Sequence, residues 1–111
     1  MPANNQMVQT IDEVFMKEAI DLSIHSVRLG GGPFGAVIVD ENNTVVGRGH
    51  NQVTLNNDPT AHAEVVAIRD ACTNVKSFKL DNCKLYTSCE PCPMCLSAIY
   101  CKATHDYPSP F

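Results

Sequence analysis

The sequence predicts an α/β domain, and three observations carry that prediction. Segments with a helical apolar period alternate with short β-branched runs, in the order helix, strand, strand, helix, strand, helix. The 111 residues leave room for one domain, not two. The composition is 44% apolar and only 18% charged, against about 25% charged in an average globular chain, which points to a packed core and away from disorder.

Residues 1–10 read as a flexible lead. Thr10-Ile11-Asp12-Glu13 has the form of a capping box, a hydroxyl at the cap and a carboxylate three residues on. Apolar residues then recur at Phe15, Ala19 and Leu22 and at Met16, Ile20 and Val27, which predicts a helix over Asp12–Leu29. Gly30-Gly31-Gly32-Pro33 ends it. The glycines lack the lysine and the strand-before-helix setting of a phosphate cradle, so they read as cap and turn.

Phe34–Asp40 is a continuous apolar run, predicting a strand buried on both faces. Asp40-Glu41-Asn42-Asn43 is a turn cluster, and Thr44–His50 is the hairpin partner, weakened by Gly47 and Gly49. Asn51–Asp58 reads as a polar loop closed by Pro59. Ala61–Cys72 carries Val65, Ile68 and Cys72 on one helical face. Cys83–Thr87 is a third strand, expected to run parallel to one of the hairpin strands. Pro91 or Pro93 opens a last helix through Leu96, Ala98 and Ile99. A domain over residues 11–101 and an irregular tail over 102–111 complete the reading.

Several function classes fall away. The net charge is −4 and no basic stripe is present, which argues against a nucleic-acid backbone as partner. No apolar run approaches the ~18 residues that span a bilayer, and the first ten residues lack a signal-peptide layout. A cytoplasmic setting follows, in which the six cysteines read as metal ligands or buried thiols rather than disulfides.

Two motifs carry chemistry: His62-Ala63-Glu64, and Ser88-Cys89-Glu90-Pro91-Cys92-Pro93-Met94-Cys95. Both fall at helix starts on either side of one strand–helix–strand unit, so the fold brings them to one edge of the sheet. Cys92 and Cys95, three apart, face the same way, and a helix N-terminus favours the thiolate. His62 adds a third ligand. Three protein ligands with a fourth position open is the arrangement of catalytic Zn2+. Glu64 at the mouth of such a site can take a proton from water and return it to a leaving group. Two rival readings stand beside this one. Cys89-x-x-Cys92-x-x-Cys95 is similar to the start of an iron–sulfur run, although Cys101 sits at the wrong spacing. A structural zinc site would use Cys83 or Cys89 as fourth ligand. Cys72 reads as a buried thiol, and His50 as structural rather than catalytic.

His62-x-Glu64 with Pro91-Cys92-x-x-Cys95 resembles the signature of zinc-dependent nucleobase deaminases. The likeness extends over Gly32–Val39, Asn57–Glu64 and Leu85–Cys95, and resembles the cytidine and deoxycytidylate deaminase superfamily, within it the guanine deaminases. The resemblance implies a cytidine deaminase-like α/β/α layered fold. It implies hydrolytic deamination of guanine to xanthine and ammonia, with zinc on His62, Cys92 and Cys95 and Glu64 as proton shuttle. It assigns Asn51 to hydrogen bonding with the base and Phe34 to packing on it, although Phe34 reads equally well as core. A purine base is the implied small-molecule partner, nucleic acid and membrane are not, and a homodimer is the family's habit. Guanosine, cytosine or transfer-RNA adenosine as substrate, and a non-catalytic zinc-binding role, are the alternatives. The resemblance also implies a scaffold truncated after the third helix: three strands where the family has five, an uncovered edge on the third strand, and no position for a C-terminal acidic group near the substrate.

Overall fold

The computed structural model of the chain describes residues 9–103. Helix α1 spans Ile11–Arg28, strands β1 and β2 span Gly35–Val39 and Val45–His50, and α2 is a single turn, Val53–Asn56. Helix α3 spans Ala63–Val75, β3 Lys84–Thr87 and α4 Pro93–Ala103. The lead lies outside the described residues except for Gln9 and Thr10. The tail does so except for Lys102 and Ala103, which continue α4.

The capping box forms as its sequence predicts. The Glu13 amide donates to Thr10 Oγ1 at 3.1 Å, and the Thr10 amide donates to Glu13 Oε1 at 3.2 Å. One apolar row of α1 then faces the sheet: Phe15 and Ala19 are buried and pack with Val37, Val39 and Tyr86. The second row predicted from the sequence, Met16, Ile20 and Val27, stays exposed. A helix lying on one sheet face buries one stripe, and the other row points away from it.

The sheet order is β2-β1-β3. Both neighbours pair antiparallel with β1, with Gly35 opposite His50 and Ala36 opposite Thr87. β3 therefore runs in the direction of β2, as a strand–helix–strand unit requires, but with β1 between them. All five residues of β1 are buried, which matches its unbroken apolar run. In the turn before β2, Asp40 Oδ1 accepts from the Asn42 and Thr44 amides, each at 2.9 Å.

The other sheet face belongs to α3, so the layers are helix, sheet, helix. Ala63, Ala67 and Ala71 pack with Ala36, Ile38 and Leu80. The contact is close because β2 carries glycines there. A Cβ at Gly49 would stand 2.3 Å from the Ala63 carbonyl oxygen, and one at Gly47 2.5 Å from that of Ala67. The two glycines that weaken the strand in isolation are the ones that let the helix settle on it. α4 packs beside α3.

The loop expected over Asn51–Asp58 contains the extra turn α2. No apolar period announces it. Its geometry is local: Asn56 Nδ2 donates to Gln52 Oε1 at 2.8 Å, and Asn57 ends the turn in the left-handed region with φ 50°. His50 packs edge-on against His25 with ring centres 5.7 Å apart.

Candidate metal centre and active site

The site forms where three segments end together. β1 begins at Gly35, β2 ends at His50, and β3 ends at Thr87. The Ser88 hydroxyl accepts from the Gly35 amide at 3.0 Å, and the Ser88 amide donates to the Gly35 carbonyl at 3.0 Å, so the chain leaving β3 is pinned to the start of β1. Phe34 and Asn51 are joined by a bond from the Asn51 amide to the Phe34 carbonyl at 3.1 Å. α3 and α4 both begin at this edge.

His62 is the cap residue of α3, in extended conformation with φ −68° and ψ 154°. Its side chain makes no capping bond and is left for other use. Cys92 precedes α4, with Pro93 at the first helical position, and its carbonyl accepts from the Leu96 amide at 2.8 Å. His62 Nδ1 lies 3.5 Å from Cys92 Sγ and 3.4 Å from Cys95 Sγ. All three ligand atoms fall within 4.8 Å of one another. Zinc bonds of about 2.3 Å to sulfur and 2.0 Å to nitrogen, meeting at a tetrahedral angle, place S and N about 3.5 Å apart. The donor set and its spacing fit Zn2+. Among the described residues the cluster consists of these three, so neither Cys83 nor Cys89 closes it.

The two thiols are held differently. The Cys95 amide, donating to Cys92, holds that thiol below its ordinary range. Burial pushes the Cys95 thiol up to about 12, and its hydrogen bond with Cys92 and the charge of Glu64 add to the shift. Glu64 therefore lies close enough to be felt by both sulfurs. It sits in the first turn of α3, where the helix dipole favours a carboxylate, and it is only 6% exposed. A buried carboxylate is costly unless it is paired or hydrogen-bonded, and a nearby metal ion would supply such pairing.

These side chains open onto a cavity of about 180 Å³ lined by Phe34, Asn51, His62, Ala63, Glu64, Cys89, Glu90 and Cys92. Every site residue singled out in the sequence is there except Cys95, which is fully buried, its sulfur grouped with His62 and Cys92. Phe34 is 37% exposed and belongs to the wall, not to the core. Glu90 and Ala63 are wall residues that sequence reasoning left out, and Cys89 is a wall residue where it offered only a rival ligand. Their positions within the two motifs were the available signal. A broader, shallower groove of about 580 Å³ between α1 and β3 gathers no comparable set of ligands.

Comparison with known proteins agrees with this geometry. Residues 9–106 match the family described as "Cytidine and deoxycytidylate deaminase zinc-binding region". Guanine deaminase of Bacillus subtilis is 58% identical over 89 residues, covering 79% of this chain and 56% of the relative. The tRNA-specific adenosine deaminase of Haemophilus influenzae is 42% identical over 88 residues, covering 79% and 51%. The solved structure of the Bacillus subtilis enzyme superposes with a TM-score of 0.77, over the same 79% and 56%. That of guanine deaminase from Nitrosomonas europaea superposes with a TM-score of 0.79 at 26% identity, covering 86% and 55%. The chain spans about half the length of the curated relatives it matches. With the ligand spacing, the buried carboxylate beside it and a family match over nearly all of the chain, the protein belongs to the cytidine and deoxycytidylate deaminase zinc-binding family.

Proposed function

We propose that the chain carries the zinc and proton-transfer machinery of a guanine deaminase, converting guanine and water to xanthine and ammonia. The observation that carries this reading is the buried Glu64 carboxylate beside the His62–Cys92–Cys95 cluster, in one small cavity. The likeness to guanine deaminase of Bacillus subtilis supplies the substrate.

His62, Cys92 and Cys95 would hold the metal. Zinc bound there supplies a Lewis acid that makes water nucleophilic near neutral pH. Glu64 takes a proton from the attacking water and passes it to the amino nitrogen on the base. A bond forms from oxygen to the amino-bearing carbon, the carbon–nitrogen bond breaks, and ammonia leaves. Phe34 stacks on the base, and Asn51 hydrogen-bonds its edge. The cavity of about 180 Å³ is smaller than the ~300–1,000 Å³ of sites for drug-sized ligands, which suits a free base. The net charge of −4 weighs against transfer RNA.

We further infer a cytoplasmic setting, where thiolate ligands stay reduced. The domain over residues 11–101 would work in purine metabolism as a homodimer, which would cover exposed apolar surface such as Met16 and Ile20 on α1. Light scattering tests the dimer.

Ammonia release from guanine, guanosine, cytosine, adenosine and a transfer-RNA hairpin, assayed on one zinc-loaded sample, tests the activity. Guanine turnover above the others is the expected result. Preferential turnover of the hairpin would replace the substrate, and one zinc per chain with no turnover on any of them would leave a non-catalytic zinc protein.

A further inference from the structure

Among the described residues two polar side chains are buried, Glu64 and Ser26. Glu64 has its place in the chemistry above. Ser26 lies in the last turns of α1, with no exposed surface, and its hydroxyl donates to the backbone carbonyl of Asn51 at 3.2 Å. A serine facing the sheet at the end of an otherwise apolar stripe is costly to bury, and this bond is what it does there.

The contact depends on the glycine run. A Cβ at Gly31 would stand 2.6 Å from the Asn51 carbonyl oxygen and 2.8 Å from the Ser26 hydroxyl. Any other residue at position 31 would enter the space the bond occupies. Gly32 is less tightly confined, its Cβ position 3.2 Å from the Phe34 ring and 3.3 Å from the Asn51 side chain. Gly31 is itself bound to Ser26, its amide donating to the Ser26 carbonyl at 2.8 Å. The segment that ends α1 is therefore also the wall behind Phe34 and Asn51.

Asn51 is fixed on several sides. Its amide donates to Phe34, its carbonyl accepts from Ser26, and its side-chain Oδ1 accepts from the Val53 amide at 3.2 Å. The next residue, Gln52, donates its amide to the Ala61 carbonyl at 2.9 Å, next to His62. Oδ1 is turned to the Val53 amide and keeps one lone pair, whereas Nδ2 bonds to no described residue, so its two donors are the free end of the Asn51 amide.

We propose that Ser26 is a positioning residue that, through the Asn51 carbonyl, sets this amide with its nitrogen toward the cavity. The segment from Gly31 to Gly32 keeps the bond free of side chains. Asn51 then acts as a hydrogen-bond donor, and the substrate edge facing it presents an acceptor, a carbonyl oxygen or an unprotonated ring nitrogen. The inference rests on the proposed role of Asn51 in base binding.

Two measurements on the zinc-loaded chain test it. The first is the steady-state kinetics of guanine deamination in Ser26→Ala, Asn51→Ala and the double variant. Ser26→Ala is expected to raise KM about three- to tenfold with kcat little changed, the effect of one lost hydrogen bond. In the Asn51→Ala background the same change should leave KM where it is. Ser26→Cys, which keeps a weak donor on a slightly larger side chain, should fall between. An equal KM increase in both backgrounds, or a fall in kcat alone, would overturn the proposal.

The second measurement needs no turnover. Hydrogen exchange at the Val53 amide should speed up in Ser26→Ala, while exchange at Ala67 in α3 stays as in the wild type. Unchanged Val53 exchange would overturn the proposal. A wild-type chain that leaves guanine untouched would instead overturn the proposed function, and the exchange result would still decide the role of Ser26.

Discussion

His62 Nδ1 stands 3.4 Å from the Cys95 sulfur, although the two residues are 33 positions apart in the sequence. With Cys92 they make a donor set of zinc spacing. The chain should bind one zinc, and chelation should lower its melting temperature. Metal at 100 times its Kd stabilises the folded state by about 2.7 kcal/mol. For a domain of this size that corresponds to a drop of about 10–20 °C on chelation. Thermal melts with and without chelator measure it, and Cys95→Ser should show the low value in both. A wild-type melt indifferent to chelator would contradict the metal assignment.

Glu64 shares the cavity with the ligands without belonging to the cluster. Glu64→Ala should lower turnover by about 10²–10⁴-fold, the usual contribution of a positioned acid–base group. Zinc per chain should stay at the wild-type value. Metal analysis alongside the assay checks both, and loss of zinc in this variant would make Glu64 a ligand instead of a shuttle.

Gly49 lets α3 lie against β2, and α3 carries His62 and Glu64 at its start. Gly49→Ala puts a methyl group where the Ala63 carbonyl and the Ala67 backbone already are. The expected loss is about 1–3 kcal/mol in a denaturant titration, as for an overpacked core. Arg48→Ala, at the exposed neighbouring position on β2, should cost less. Similar losses for the two variants would mean the helix can move away freely.

The Tyr86 hydroxyl donates to the Asp12 carboxylate, tying β3 to the first turn of α1. That bond, together with burial and the carboxylate charge, raises the Tyr86 pKa to about 12 from an ordinary 10.0. A group whose folded pKa is raised stabilises fully below its unfolded pKa and ceases to do so as pH climbs through the folded one. The contribution is therefore present at pH 8 and fades between pH 10 and 12. Urea midpoints should show Tyr86→Phe less stable than wild type at pH 8, with the gap narrowing by pH 11. A gap that stays constant would remove Tyr86 ionisation from the account.

The metal set was legible in the sequence because thiol and imidazole ligands at a three-residue spacing have few other uses. The layered α/β fold was legible from periodicity, since β1 and one row of α1 bury the residues their pattern marks. α3 turns Ala63, Ala67 and Ala71 to the sheet and leaves the marked Val65, Ile68 and Cys72 half-buried at its flank, because the glycines of β2 admit only small side chains there. Phe34 was ambiguous because an aromatic beside a buried strand looks the same whether it faces core or cavity. Gly47 and Gly49 read as weaknesses because their value lies in a helix that local sequence does not place beside them. Ser26 left no signal for the same reason: its partner, Asn51, is 25 residues away. The turn α2 escaped because one turn held by Gln52 and Asn56 needs no apolar period.

The 30 residues separating His62 from Cys92 give the metal centre a second consequence. A bound ion would cross-link the starts of two helices and close all of α3 and β3 into one loop. A disulfide closing a loop of that length removes about 3–4 kcal/mol worth of freedom from the denatured chain. An ion held through unfolding would act on the same ensemble. Refolding from such a tethered state would begin with the starts of α3 and α4 already held together, so the metal would gather early the edge of the sheet where the site forms.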